Sequence, residues 1–249
     1  MTQPTRHFLV VGAQRCGTTW LHDQLAAHPQ IAMARPARPE PKVFLGPDPV
    51  DPEDYRARFF GHAGDAELLG EKSTSYLESV SAPDRVAEAL GTPQVVVQLR
   101  DPVERAVSNW SFSRDHGIET RSLTEALQAN LEGPAPWDPE SWSVSPFAYL
   151  ERGRYSEDLA RWCGRFPVHV QFLEEMLAEP SRISELYRWL GVADGVRPDE
   201  DGPVNASSPV GEELDDDLVA RLRDYYADTD AALAQMLGRD LPWTDRWQA

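Results

Sequence analysis

The chain has two cysteines in 249 residues, no lysine- or arginine-rich run, and no apolar stretch near the ~20 residues that a membrane-spanning helix requires. Each shortage removes a class of function. Cys16 and Cys163 stand far apart without metal-ligand spacing, which argues against a disulfide scaffold or a zinc site; Cys16 reads as a loop residue and Cys163 as a buried helix residue. A nucleic-acid partner is held by a broad basic surface that releases counterions, and no such track exists here. The formal net charge is −17, from 24 basic and 41 acidic residues, with the acid concentrated at Asp194, Asp199 to Asp201, Glu212, Glu213 and Asp215 to Asp217, a pattern that reads as a solvated face. The opening MTQPTRHFLVV is too short in apolar residues, and too soon broken by Gly12, for a signal peptide, so a cytoplasmic protein is expected. There is no internal repeat. What remains, 41% hydrophobic and 9% aromatic residues, is the composition of a folded globule.

The most informative stretch is His7 to His28, HFLVVGAQRCGTTWLHDQLAAH. Phe8 to Val11 are apolar and β-prone, Gly12 and Gly17 bound a short loop, Thr18 and Thr19 are placed to cap a helix, and Leu21 and Leu25 share one helical face. In a strand, loop and helix of this kind, free backbone N–H groups and the positive end of the helix dipole point at one spot, which suits an anionic oxygen. The spacing Gly12-x4-Gly17 matches the phosphate loop of nucleotide-binding proteins, except that Thr18 stands where the usual lysine follows the second glycine. The loop is thus fitted to cradle a 5′-phosphate and poorly equipped for ATP or GTP hydrolysis. Arg15 places a cation inside the loop instead.

Further along, Pro29 ends the first helix, and residues Arg35 to Pro52, with six prolines, read as an irregular surface loop from which Lys42 is placed to return toward the phosphate loop. Leu68 to Lys72 reads as a short strand running into a loop, and a helix follows from near Pro83 to Leu90. Gln94 to Leu99 is a continuous apolar run of strand length, expected for an interior parallel strand, ending in Arg100-Asp101-Pro102 before a helix from about Val103. Arg100 and Ser108, eight residues apart, are candidates to converge on a second anionic group, since ligands of open parallel sheets bind beyond the strands' carboxyl ends; a salt bridge from Arg100 to Asp101 or Glu104 is the competing role. A helix near Leu123 to Leu131, a Pro/Trp-rich loop from Gly133 to Pro146, a helix near Ser156 to Arg165, the strand Val168 to Leu173, and helices near Ser181 to Leu190 and Leu214 to Leu237 complete the pattern. Alternating strands and helices imply an α/β fold: a single P-loop-like domain with a central parallel β-sheet flanked by helices.

On these residues the chain resembles the sulfotransferases that use 3′-phosphoadenosine-5′-phosphosulfate (PAPS) as donor, over most of its length. VGAQRCGTTWL is similar to the family's loop for the 5′-phosphosulfate, and Leu99-Arg100-Asp101-Pro102 with Ser108 is similar to its 3′-phosphate site. Glu71-Lys72-Ser73 and Tyr76 resemble the segment after the second strand in the heparan-sulfate-type branch, where the glutamate is the proposed base. Arg154-Tyr155 and Pro203-Val204-Asn205-Ala206-Ser207 resemble bacterial members, the latter where the family sets a loop over the adenine and 3′-phosphate. The resemblance implies one sulfotransferase domain over residues 1–249, with 133–146 as an acceptor-side loop and 203–249 as a C-terminal loop and helix.

It also implies the site. Glu71, Arg15, Lys42 and His116 are the catalytic candidates: Glu71 as base, Arg15 as electrostatic stabiliser where many members carry lysine, Lys42 secondary, and His116 an alternative base. Donor contacts are implied for Gln14, Arg15, Cys16, Gly17, Thr18, Thr19, Trp20, Arg100, Ser108, Tyr155, Asn205 and Ser207. PAPS is the expected donor and adenosine 3′,5′-bisphosphate (PAP) the product, with no metal required and no nucleic-acid partner. The acceptor is expected to be a hydroxyl of a small molecule, glycan or natural product, neutral or weakly charged given the net charge; Trp137 and Trp142 offer faces that suit a sugar, a phenol or a lipid equally. The competing readings are a nucleoside or small-molecule kinase, which calls for the absent loop lysine and a strand-end carboxylate for magnesium, and a catalytically silent nucleotide-binding relic.

Overall fold

A computed structural model describes residues 6–138, 144–196, 211 and 213–244. The chain divides into two compact units, residues 1–99 with 159–204, and residues 100–158 with 205–249.

The first unit is built on a five-stranded, all-parallel sheet: β1 (Arg6–Gly12), β2 (Ile31–Met33), β3 (Leu68–Lys72), β4 (Gln94–Leu99) and β5 (Val168–Phe172), in the order β2-β3-β1-β4-β5. Side chains alternate across a strand. Phe8 and Val10 of β1, Leu68 of β3 and Val96 of β4 therefore share one face, where they pack with Leu21 and Leu25 of helix α1 (Thr18–Ala27) and with Ile183, Leu186, Tyr187 and Leu190 of a late helix. Leu9, Val11, Val95 and Val97 point the other way and are equally buried. Burial on both faces is why β1 and the centre of β4 read as apolar runs.

Three elements were not foreseen, one of them the short helix Leu173–Ala178, whose first residue was expected to end the last strand. The strand β2 is three residues long, too short to show a period. Helix α2 (Pro52–Phe60) begins at the last proline of the stretch expected to be loop: Pro52 occupies the first helical turn, where its missing N–H costs nothing, and Asp51 caps the helix by accepting from the Glu53 and Asp54 N–H groups at 2.9 Å. The remaining helices of this unit are α3 (Ala82–Leu90), the end of a helix that spans Tyr155–Cys163, a short helix over Leu173–Ala178, and Ile183–Leu190. The expected burial of Cys163 is corrected, while Cys16 is a loop residue as expected. Cys16 is buried in its loop, whereas Cys163 is exposed, because Leu159 and Trp162 take the inward positions of that helix turn.

The second unit is helical. Numbering onward, α4 (Pro102–Asp115), α5 (Leu123–Asn130), the first turns of α6 (Tyr155–Cys163) and, after α7 (Leu173–Ala178) and α8 (Ile183–Leu190) of the first unit, α9 (Asp216–Leu237) belong to it. Val103, Ala106 and Trp110 of α4 pack with Leu123 and Leu127 of α5 and Leu218, Leu222 and Tyr226 of α9. Buried polar side chains fix the approach of residues 146–150: Asn109 and Ser113 donate to the Pro146 carbonyl, Arg105 to that of Tyr149, and Asn130 accepts the Leu150 N–H. Asp215, from the acidic run, caps α9 through the Leu218 N–H at 2.7 Å.

Asp230 of α9 accepts a hydrogen bond from the Trp243 indole at 2.9 Å, and burial pushes its pKa up to about 6. A carboxyl raised on folding contributes stability that is complete below its unfolded pKa and is lost as pH rises through the folded value. Asp230→Asn is therefore expected to gain melting temperature relative to the native chain between pH 4 and pH 8, by the equivalent of up to about 3 kcal/mol for a carboxyl raised this far. Thermal melts at the two pH values check this; a constant difference between the proteins refutes it.

Candidate active site

The phosphate loop lies between β1 and α1. Gly17 is the N-cap of α1, in the left-handed region at φ 75°, so the expected capping by Thr18 or Thr19 does not occur: no side chain caps this helix, and no acidic residue stands in its first turn. Both omissions leave the amides and the positive dipole end for an anion. A Cβ at Gly17 would also meet Leu173 Cδ1 at 2.6 Å, so that side chain would have to turn aside. Arg15, half-buried, is itself in the left-handed region at φ 67°, a conformation that non-glycine residues adopt at a cost and mostly at functional sites.

The loop is held from below by two glutamines near the carboxyl ends of neighbouring strands. Gln98 of β4 donates Nε2 to the Cys16 carbonyl at 2.5 Å and accepts from Gln171 Nε2 of β5 at 2.6 Å, which fixes the orientation of its amide; its own carbonyl accepts the Ala13 N–H at 2.8 Å. Gln14 Nε2 donates to Ser75 Oγ at 2.8 Å, tying the loop to the turn after β3. Of the residues expected to touch the donor, Cys16 keeps its thiol buried, and Trp20 sends its indole into the core, so what these two residues offer a ligand is backbone N–H.

Glu71 sits near the carboxyl end of β3, in register with Leu9 of β1, as expected for strand-end chemistry. Its carboxylate does not face open solvent. It is 0% exposed and is engaged by three hydroxyls: Oε1 accepts from Ser73 Oγ at 2.6 Å and Tyr76 Oη at 2.7 Å, and Oε2 from Tyr55 Oη at 2.6 Å. Burial raises its pKa above the ordinary carboxylate value, and the hydroxyl donors pull it back only partly. The ion pair in this neighbourhood belongs to the next residue: Lys72 Nζ meets Glu40 Oε1 at 2.7 Å.

The same cluster organises the segment that carries Lys42. Ser73 Oγ accepts the Lys42 N–H at 3.0 Å, Tyr76 Oη accepts the Phe44 N–H at 3.2 Å, and Glu40 accepts the Thr74 N–H at 3.0 Å. Lys42 is held at φ 53°, left-handed, at the start of a short 3₁₀ turn. Its backbone is thus pinned beside the β3 turn. Sequence reasoning passed over Tyr55, Gln98 and Gln171; Gln98 had a visible signal, a polar residue directly after the apolar Val95–Val97.

In the second unit Arg100 follows the last residue of β4. Asp101 caps α4 through the Val103 N–H at 2.9 Å and accepts from Arg223 Nη2 of α9 at 2.6 Å. Arg100 Nη2 pairs with Glu104 Oε2 at 3.0 Å, the competing role that the sequence offered. Glu104 and Ser108 are four apart on α4 and share a face of that helix. Tyr155, expected at the donor, spends its hydroxyl on the Arg100 carbonyl at 2.8 Å and is nearly fully buried; it orients Arg100. His116 ends α4, exposed, with Nδ1 at 2.8 Å from the Phe112 carbonyl and its ring stacked on Phe112 at 4.0 Å, the contacts of a helix-capping residue. Asn205 and Ser207, with Trp142, lie outside the described residues. Among the described residues no three His, Cys, Asp or Glu side chains form a metal-binding group, and no helix is long and apolar enough to cross a membrane.

No protein-family model matches the chain. In sequence it is similar to bifunctional heparan sulfate N-deacetylase/N-sulfotransferase 2 of Mus musculus, 34% identical over 197 residues that cover 74% of this chain and 22% of that protein. It is similar also to heparan sulfate glucosamine 3-O-sulfotransferase 3B1 of Homo sapiens, 25% identical over 265 residues that cover 94% of this chain and 64% of that protein. The chain thus spans 22% of the length of the bifunctional relatives. In fold it is similar to a sulfotransferase from Alicyclobacillus acidocaldarius, with a TM-score of 0.78 over 100% of both chains at 24% identity.

Proposed function

We propose that this relative of the heparan-sulfate-type sulfotransferases moves a sulfuryl group from PAPS to a hydroxyl acceptor. The observation that carries the reading is the phosphate loop: an uncapped helix start without first-turn acid, Arg15 turned left-handed within the loop, and Thr18 in place of the lysine that nucleotide hydrolases use. A kinase lacks support for the same reason, and because the strand end after β4 begins with Arg100 rather than a carboxylate. A silent relic would be expected to have lost the base or a phosphate ligand, yet Arg15, Glu71, Arg100 and Ser108 are all chemically competent.

In this reading Glu71 takes the proton of the acceptor hydroxyl as its oxygen attacks sulfur in line. The bond from sulfur to the bridging phosphate oxygen breaks, and PAP leaves carrying the negative charge. The N–H groups of Gly17 to Thr19, the Thr18 and Thr19 hydroxyls and Arg15 stabilise that departing 5′-phosphate. Arg15 does this as a fixed charge, since a guanidinium does not release a proton at neutral pH. Arg100 and Ser108 bind the 3′-phosphate, Tyr155 orients Arg100, Lys42 assists at the sulfuryl side, and Asn205 and Ser207 lie against the nucleoside. Turnover needs no divalent metal. The acceptor is a neutral or weakly charged alcohol or phenol: the relatives are named for heparan sulfate, but a chain of net charge −17 repels a densely sulfated polymer.

The test is nucleotide discrimination. Calorimetry is expected to give PAP about one to two decades more affinity than ADP, the worth of a charge-assisted contact of ~1.5–3 kcal/mol. Arg100→Ala is expected to erase the difference. Equal binding of PAP and ADP by the native protein overturns the assignment.

A further inference from the structure

We infer that Tyr55 is a positioning residue for proton transfer: its hydroxyl holds Oε2 of Glu71 so that the remaining lone pair of this oxygen is the one that receives the acceptor proton. The inference rests on the reading of Glu71 as base. An ionised carboxylate offers about four acceptor sites, two on each oxygen. Ser73 and Tyr76 fill both sites of Oε1, whereas Oε2 accepts from Tyr55. One site is left, and it is on Oε2.

The three hydroxyls are not equivalent. Ser73 Oγ and Tyr76 Oη each also accept a backbone N–H, from Lys42 and Phe44, so removing either loosens residues 40–45 as well. The Tyr55 hydroxyl donates to Glu71, and its ring is held independently by packing, with the rings of Phe44, Phe59 and Phe60 each centred 5.5 Å away and His7 at 6.2 Å. Tyr55→Phe therefore deletes a donor to the base while keeping the aromatic cluster. The titratable groups around Glu71 are Tyr55 from α2, Tyr76 from the turn after β3, Glu40 from the preceding loop with Lys72 paired to it, and, behind Tyr55, His7 of β1, which burial and Arg56 hold neutral down to about pH 4. His7 and the tyrosines stay uncharged between pH 5 and 9, so they contribute nothing to a change in that range.

Losing a hydrogen bond made to the charged form raises a carboxyl pKa. Infrared difference titration of the Glu71 carboxyl, assigned by its disappearance in Glu71→Gln, is expected to show a midpoint about one pH unit or more higher in Tyr55→Phe, with PAP affinity unchanged. The acid limb of kcat/KM, measured with PAPS and a neutral glycoside whose hydroxyls do not titrate, is expected to move with it. Activity below the limb then falls roughly tenfold for each pH unit that the midpoint rises, and it recovers above the limb. In the Glu71→Gln background Tyr55→Phe is expected to change nothing further in rate. An unchanged midpoint, or a loss of activity equal at every pH together with a lower melting temperature, makes Tyr55 merely structural and overturns the inference. If instead Glu71→Gln itself turns over normally, the base reading fails, and this inference with it.

Discussion

Glu71→Gln is expected to lower turnover by about 10²–10⁴, the usual worth of a general base, while donor affinity stays near native. The geometry allows the substitution to be read cleanly. A glutamine can keep its carbonyl where Oε1 receives Ser73 and Tyr76, and turn its NH₂ toward Tyr55, whose hydroxyl accepts as readily as it donates. The variant also has a pH signature in stability. Because burial raises the Glu71 pKa in the folded state, its ionisation costs the fold stability as pH rises through that value. The glutamine variant, which never ionises, is expected to gain melting temperature relative to the native chain as pH rises. Single-turnover assays with labelled donor, PAP calorimetry and melts at two pH values together separate the roles. A phenolic acceptor, with a pKa of about 10, should recover activity in the variant as pH approaches that value, and an aliphatic alcohol should not. Near-native turnover on an alcohol would remove Glu71 as base and turn attention to His116, whose Nδ1 already lies against the Phe112 carbonyl.

Arg15→Gln is expected to cost about 10²–10³ in turnover, the scale of removing one preorganised group that faces developing charge. Arg15→Lys should restore part of this, because the charge returns without the planar fork. Arg15→Gly makes a sharper comparison. Arg15 holds φ 67°, which for a non-glycine residue costs roughly 1–2 kcal/mol and for glycine almost nothing. That variant should therefore melt no lower than the native protein while turning over as slowly as Arg15→Gln. Opposite movement of stability and rate is what a strained functional residue gives; a parallel fall in both, or native turnover in Arg15→Gln, contradicts the assignment.

Much of the fold was legible because its signals are local. The runs Phe8–Val11 and Val95–Val97 are apolar since both faces of a parallel sheet are covered, and they became the centres of β1 and β4. Pro102 after Asp101 announced α4 by cap and first-turn proline, and the Gly12 to Thr19 spacing announced the phosphate loop. Where the local signal was short or double-valued, the reading failed. Ile31–Met33 is too brief to show a period, and Pro52 fits a loop as well as a helix start; what made it the latter was Asp51 as cap and the burial of Tyr55, Phe59 and Phe60.

By itself the sequence determined the α/β class, the phosphate loop, and the identity of the charged groups, because strand period, helix caps and loop spacing are properties of neighbours along the chain. Only the tertiary structure decided what those groups touch. Glu71 was readable as a strand-end carboxylate, but its enclosure by Tyr55, Ser73 and Tyr76 brings together residues 16, 2 and 5 positions away, and the most distant of them lies on α2, a helix without a legible signal of its own in the sequence. Gln98 and Gln171, 73 residues apart, meet only because β4 and β5 pair in register, and their amides then hold the loop through the Cys16 carbonyl. The side-chain partners of a buried polar group are set by which strands pair and which helices cover them, and that choice is made by the whole core at once.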